Sequence, residues 1–120
     1  MSIDVTLYGG DNDNLVDVAL ARRLAKTPLT GAVVAVTIRD RAGTEVSGLS
    51  WPFYLAEAGT LPVQHPDGSI IDGARYIGTI DKDAAIVVDR VYEIELVVTH
   101  ADAGFDGQWL LERVAQRRTG

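Results

Sequence analysis

The chain has 120 residues, is 47% apolar, carries a net charge of −6 and contains no cysteine. That length suits one domain with one core, and that apolar content excludes intrinsic disorder. The missing thiols remove disulfides, thiolate catalysis and cysteine-ligated zinc, and the acidic balance disfavours nucleic acid and anionic lipid as partners.

The first residues, 1–5, offer neither the basic start nor the apolar run of a signal peptide, and no stretch approaches the ~20 apolar residues of a membrane span. Synthesis and folding in the cytoplasm of the producing cell are therefore expected. Residues 3–8 alternate, with Ile3, Val5 and Leu7 on one side, and predict a short strand. Gly9 to Asn14 break it with turn formers. Residues 15–24 fit two readings. Val16, Val18 and Leu20 alternate as a strand would, whereas Leu15, Val18 and Ala19 fit helical spacing with Asn14 as N-cap. The strand is preferred, because its neighbours are β and a hairpin is the short connection. Residues 26–31 connect, with Pro28 favouring extended geometry at Thr27.

Residues 30–43 give the clearest signal. Val34, Val36 and Ile38 alternate with Ala35, Thr37 and Arg39, the period of a half-buried strand, and Asp40 to Gly43 supply a hairpin turn. Residues 44–55 are expected to resume as a strand, with Leu49, Trp51, Phe53 and Leu55 on one face and Pro52 marking an edge or bulge. Residues 56–75 lack clear periodicity and predict a long loop suited to binding or assembly. Within it, residues 63–65 and 69–71 flank Pro66-Asp67-Gly68 and suit a small projecting hairpin. Residues 76–80 read as a short strand, 81–83 as a turn and 84–88 as an apolar run in the core or a crossing loop. Residues 91–100 are the second clear strand, with Tyr92, Ile94, Leu96 and Val98 facing the core and Glu93, Glu95 and Thr99 facing water. After a loop over 101–107, residues 108–118 are expected as strand rather than a short helix. About seven strands with turns between them point to an all-β, immunoglobulin-like antiparallel sandwich forming one domain over residues 1–120.

Chemistry-bearing motifs are sparse. His65 and His100 are the only histidines, and solvated surface roles are expected for both. Asp11 to Asn14 start like an EF-hand, but Val16 and Arg22 stand where the glycine and glutamate are required. A different calcium site, shared with Asp81, Asp83 or Asp106, stays open as a minor alternative. No phosphate-binding glycine loop or nucleophile elbow is present. Neither enzymatic activity nor a cofactor is expected. Partner contacts are expected on the 56–75 region, at Pro62, His65, Asp67 and Ile70. A second, basic set is Arg113, Arg117 and Arg118, suited to an acidic partner surface. Trp51 and Phe53 are expected in the core. A free-standing bacterial β-sandwich module that binds a carbohydrate or a partner protein, with Trp51, Tyr54 and Trp109 as its ligand platform, and a hydrolase with a site built from His65, His100 and nearby aspartates, are the competing readings.

The order of motifs resembles a known group. Residues 7–11 (Leu-Tyr-Gly-Gly-Asp), 28–32 (Pro-Leu-Thr-Gly-Ala), 34–40, 76–80 (Tyr-Ile-Gly-Thr-Ile) and 91–97, with an arginine-ended final segment, resemble the small immunoglobulin-like virion proteins of tailed bacteriophages. These include N-terminal domains of baseplate and tail-fibre components. The 56–75 region is longer than the connections of that group. The resemblance implies a non-enzymatic particle component in neck, tail or capsid surface. It would contact other virion proteins, recur in several copies around a symmetric assembly and reside in the virion after synthesis in the host cytoplasm.

Overall fold

The computed structural model describes residues 2–10, 12–22, 25–101 and 106–118. Eight strands run in chain order: β1 (Ser2–Val5), β2 (Asn14–Leu20), β3 (Val33–Asp40), β4 (Phe53–Tyr54), β5 (Ala56–Gln64), β6 (Ile70–Ile80), β7 (Val91–Thr99) and β8 (Asp106–Val114). They form two four-stranded sheets, ordered β1-β2-β6-β5 and β4-β3-β7-β8, with every strand pair antiparallel. Lettered A to G, with the two-residue β4 as C′, this is the immunoglobulin order of ABED against CFG.

Alternation sets the core. Val16, Val18 and Leu20 of β2 and Ala74, Tyr76 and Ile80 of β6 form one inner face. Val34, Val36 and Ile38 of β3 and Ile94, Leu96 and Val98 of β7 form the other. Each of these side chains is at most 2% exposed. Burying an aliphatic side chain of this kind contributes about 1.5–3 kcal/mol relative to leaving it in water. Residues 15–20 are therefore strand and not helix. Asn14 is no N-cap: its Oδ1 accepts from Tyr8 N at 2.7 Å and its Nδ2 donates to Tyr8 O at 3.1 Å, clamping the turn between β1 and β2. Residues 23–24 lie outside the described set. Residues 108–114 are strand as well.

Two expectations need correction. Residues 44–55 make no continuous strand. Glu45 forms one isolated bridge to Arg39 and only Phe53–Tyr54 pair with β3. Trp51, just before Pro52, instead anchors the loop by donating from Nε1 to Val46 O at 2.7 Å. Residues 56–75 are not a long loop. β5 and β6 form a hairpin inside the first sheet, paired from Gln64↔Ile70 back to Ala56↔Ile77. The expected small hairpin is real, but it is the tip of a much longer one. The ladder slips between Glu57 and Thr60, where Gly59 takes φ 74°. The strand count is accordingly eight.

Loops close the end away from the hairpin tip. Ala84 and Ile86 of the crossing loop enter the core, and Ala85 N donates to Ser47 O at 2.9 Å. Gly48 is required at this crossing: it sits at φ 100°, and a Cβ there would lie 1.9 Å from Asp83 O. After β1 the chain changes sheets. Gln116 N donates to Leu7 O and Gly9 N donates to Gln116 O, both at 2.9 Å, a short parallel bridge beyond β8.

Candidate functional site

The structure separates the expected contact residues into two groups at opposite ends of the sandwich. The first lies at the hairpin tip. Pro62 falls on the edge strand β5, where its missing N–H costs no ladder bond. Ile70 opens β6 and is 67% exposed. Between them the turn is built around Asp67. Its Oδ1 accepts from Ser69 N at 2.9 Å and Ser69 Oγ at 2.6 Å, and its Oδ2 is ion-paired with Lys26 from the preceding loop. Lys26, and then the Ser69 donors, hold the Asp67 carboxyl well below the usual carboxylate range. His65 Nδ1 lies 3.2 Å from Asp67 N and 3.0 Å from Asp67 Oδ1. Arranged this way, Lys26, His65, Asp67 and Ser69 stiffen the tip and present Ile70 beyond it.

The second group ends the chain. Arg113 does not project as a free charge: Nε donates to Val5 O at 3.1 Å and Nη1 to Glu112 O at 3.0 Å. It thus ties the open side of one sheet to the other. Arg117 and Arg118 are exposed, and the Arg118 guanidinium stands 5.4 Å from the centroid of the Tyr8 ring.

A third surface was missed from sequence. On the outer face of the β4-β3-β7-β8 sheet, Val33, Tyr54 and Leu110 are 50%, 59% and 58% exposed, with Ala35 and Val97 half-buried among them. The register places Tyr54 beside Ala35, Ala35 beside Val97, and Glu95 beside Leu110. Towards the far end the face becomes charged. Arg39 reaches Glu95 at 3.4 Å and Glu45 at 4.0 Å, and Gln108 Nε2 donates to Glu95 Oε2 at 2.6 Å. Glu93 and Glu112 stand directly opposite each other on adjacent strands. The signal available in sequence was Val33, Val97 and Leu110 appearing at the water-facing positions of otherwise alternating strands.

His65 is at the hairpin turn, while His100 Nε2 is 2.7 Å from Thr30 O in the loop region at the same end. Among the described residues no group of three or more His, Asp or Glu side chains is placed to hold a metal. Asp13 Oδ1 accepts from Lys82 N and Asp81 Oδ1 from Asp83 N. Asp106 begins β8 at the other end, opposite Thr99, and Asp11 lies outside the described residues. Trp51 and Trp109 pack against the core, leaving Tyr54 alone of the three exposed, so the tryptophan platform is not formed. In comparisons with known proteins, no family model, curated protein or solved structure matches the chain.

Proposed function

We propose that the chain is a non-enzymatic structural protein of a phage or prophage particle, in the neck, tail or capsid surface, acting through protein–protein contacts. It occupies the virion in several copies around a symmetric assembly. The observation that carries this reading is the apolar set Val33, Tyr54 and Leu110 presented on one rigid sheet face, with Ile70 at the hairpin tip. Exposed apolar clusters on a well-packed domain favour a protein partner over a polar small molecule. The motif resemblance to small immunoglobulin-like virion proteins supplies the particle.

Particles purified from cells that encode the chain are the test. The unaltered chain is expected in them. A Val33→Ser, Tyr54→Ser variant that keeps the native circular dichroism spectrum is expected to be lost from them. Absence of the unaltered chain, or normal recovery of the variant, overturns the reading.

A further inference from the structure

We propose that the outer edge of β8, at Gln108 and Leu110, receives an extended strand from a partner protein that carries basic side chains between apolar ones. The inference deepens the assembly reading, on which it rests for its protein partner, by naming the element that docks.

Backbone direction along β8 is readable from its end. Ala115 N donates to Arg90 O and Ala115 O accepts from Asp89 N, so residue 115 faces the β7 side. Gln116 N and O bond Leu7 and Gly9 on the opposite side. Alternation then turns the N–H and C=O groups of Gln108, Leu110, Glu112 and Val114 outward. Part of that edge is occupied. Residues 7–9 cover it at Gln116, and Arg113 bonds the Glu112 carbonyl. Among the described residues no strand pairs with the stretch at Gln108 and Leu110. A protected edge with one open window is suited to strand addition, in which main-chain bonds supply affinity and flanking side chains supply specificity.

Charge selects the occupant. The face beside the window carries Glu93, Glu95 and Glu112; the Arg39 guanidinium is already shared between Glu95 and Glu45, and Arg41, which lines one hollow with Glu93 and Glu112, is within ion-pair distance of neither. Among the described residues neither Glu93 nor Glu112 has an ion-pair partner, and like charges set directly opposite repel. A lysine or arginine on an added strand, next to Glu112, relieves that repulsion, and an apolar neighbour covers Leu110. A second copy fits poorly: the chain's net charge is −6, and its own β8 would bring Glu112 and another acid-bearing edge together, with Arg113 already engaged.

The test uses the isotope-labelled whole chain and two capped heptapeptides, one alternating lysine with valine and one alternating glutamate with valine. The lysine peptide is expected to shift the amides of Gln108, Leu110 and Glu112 and to slow exchange at Leu110 by about tenfold or more. The glutamate peptide is expected to do neither. Gln108→Pro removes an outward N–H and the Gln108–Glu95 hydrogen bond but no ladder bond to β7, so it is expected to keep the native spectrum and lose the response. Glu93→Gln with Glu112→Gln touches no ladder bond, keeps the test independent of how the proline variant folds, and is expected to abolish discrimination between the peptides. Shifts confined to another surface, equal responses to both peptides by the unaltered chain, or peptide-free slowing at Leu110 that grows with protein concentration would each overturn the proposal. Particle recovery separates it from the broader reading. Normal incorporation of Gln108→Pro sinks the edge alone, and a peptide response in a chain absent from particles sinks the particle alone.

Discussion

The Tyr76 hydroxyl joins three segments that are distant in sequence. It donates to Leu29 O at 2.7 Å, accepts from Ala32 N at 3.0 Å and lies 3.4 Å from Glu57 Oε1, which also accepts from Gly31 N at 2.9 Å. Removing it leaves a buried carbonyl and an amide unpaired, so Tyr76→Phe is expected to cost about 1–3 kcal/mol in urea unfolding. Burial pushes the phenol pKa up from its ordinary value of 10.0. The folded state therefore prefers the neutral phenol. Its contribution is intact below the unfolded value and is lost as pH rises through the higher folded one. Unfolding free energy should fall as pH rises above the unfolded value near 10, and Tyr76→Phe should flatten that fall. An equal fall in the variant would show that other groups carry it. Alternation in residues 76–80 made this tyrosine legible as a strand residue. Its partners were not legible, because a hydroxyl that bonds across 47 and 44 residues of chain leaves no local pattern.

Among elements, β3 and β7 were readable because each has one face in the core and one in water, which writes a period of two into the sequence. β5 was not. It is an edge strand, exposed at most positions on both faces, interrupted at Gly59 and carrying Pro62. Hydrogen bonds to β6 hold it, and backbone bonds leave no mark on side-chain choice. The opposite error occurred at residues 44–55. Leu49 and Trp51 keep the alternation that leads into Phe53 because they pack on the core from a loop, so at those two positions the pattern recorded burial without pairing. Deleting residues 62–73, harmless had they formed a loop, removes the last third of β5 and the start of β6. That deletion is expected to abolish the cooperative thermal transition, and a native melting curve would refute the hairpin's structural role. Asp67→Asn should act only locally. Its carboxyl is held below the usual range by Lys26 and the Ser69 donors, so its contribution is present above the unfolded value near 3.9 and is lost as pH falls through the lower folded one. At neutral pH the variant is expected to keep the global melting temperature and to speed amide exchange at Ser69. Unchanged exchange there would mean that the carboxylate does not order the tip.

For the whole molecule, two β sheets bury a single aliphatic core and leave their remaining apolar surface unevenly placed. Glu93 and Glu112 stand towards the end that also holds Arg117 and Arg118, whereas Val33 and Tyr54 stand nearer the hairpin-tip end, where Val33 pairs with Thr99. Copies that meet through the Val33–Tyr54 region keep their acidic rows apart, so repulsion within a chain of net charge −6 does not oppose the contact. A closed symmetric multimer is therefore expected by light scattering, growing more populated with salt as residual repulsion is screened. Val33→Ser with Tyr54→Ser should return the mass to that of a monomer. Gln108→Pro, which alters the β8 edge and leaves Val33, Tyr54 and Leu110 in place, should leave the multimer standing. If the proline variant dissociates while the serine pair does not, copies meet at the strand edge, and the assignment of face to self-assembly and edge to a basic partner is reversed. A monomer at all concentrations would assign the Val33–Tyr54 face to a different protein and make assembly conditional on that partner.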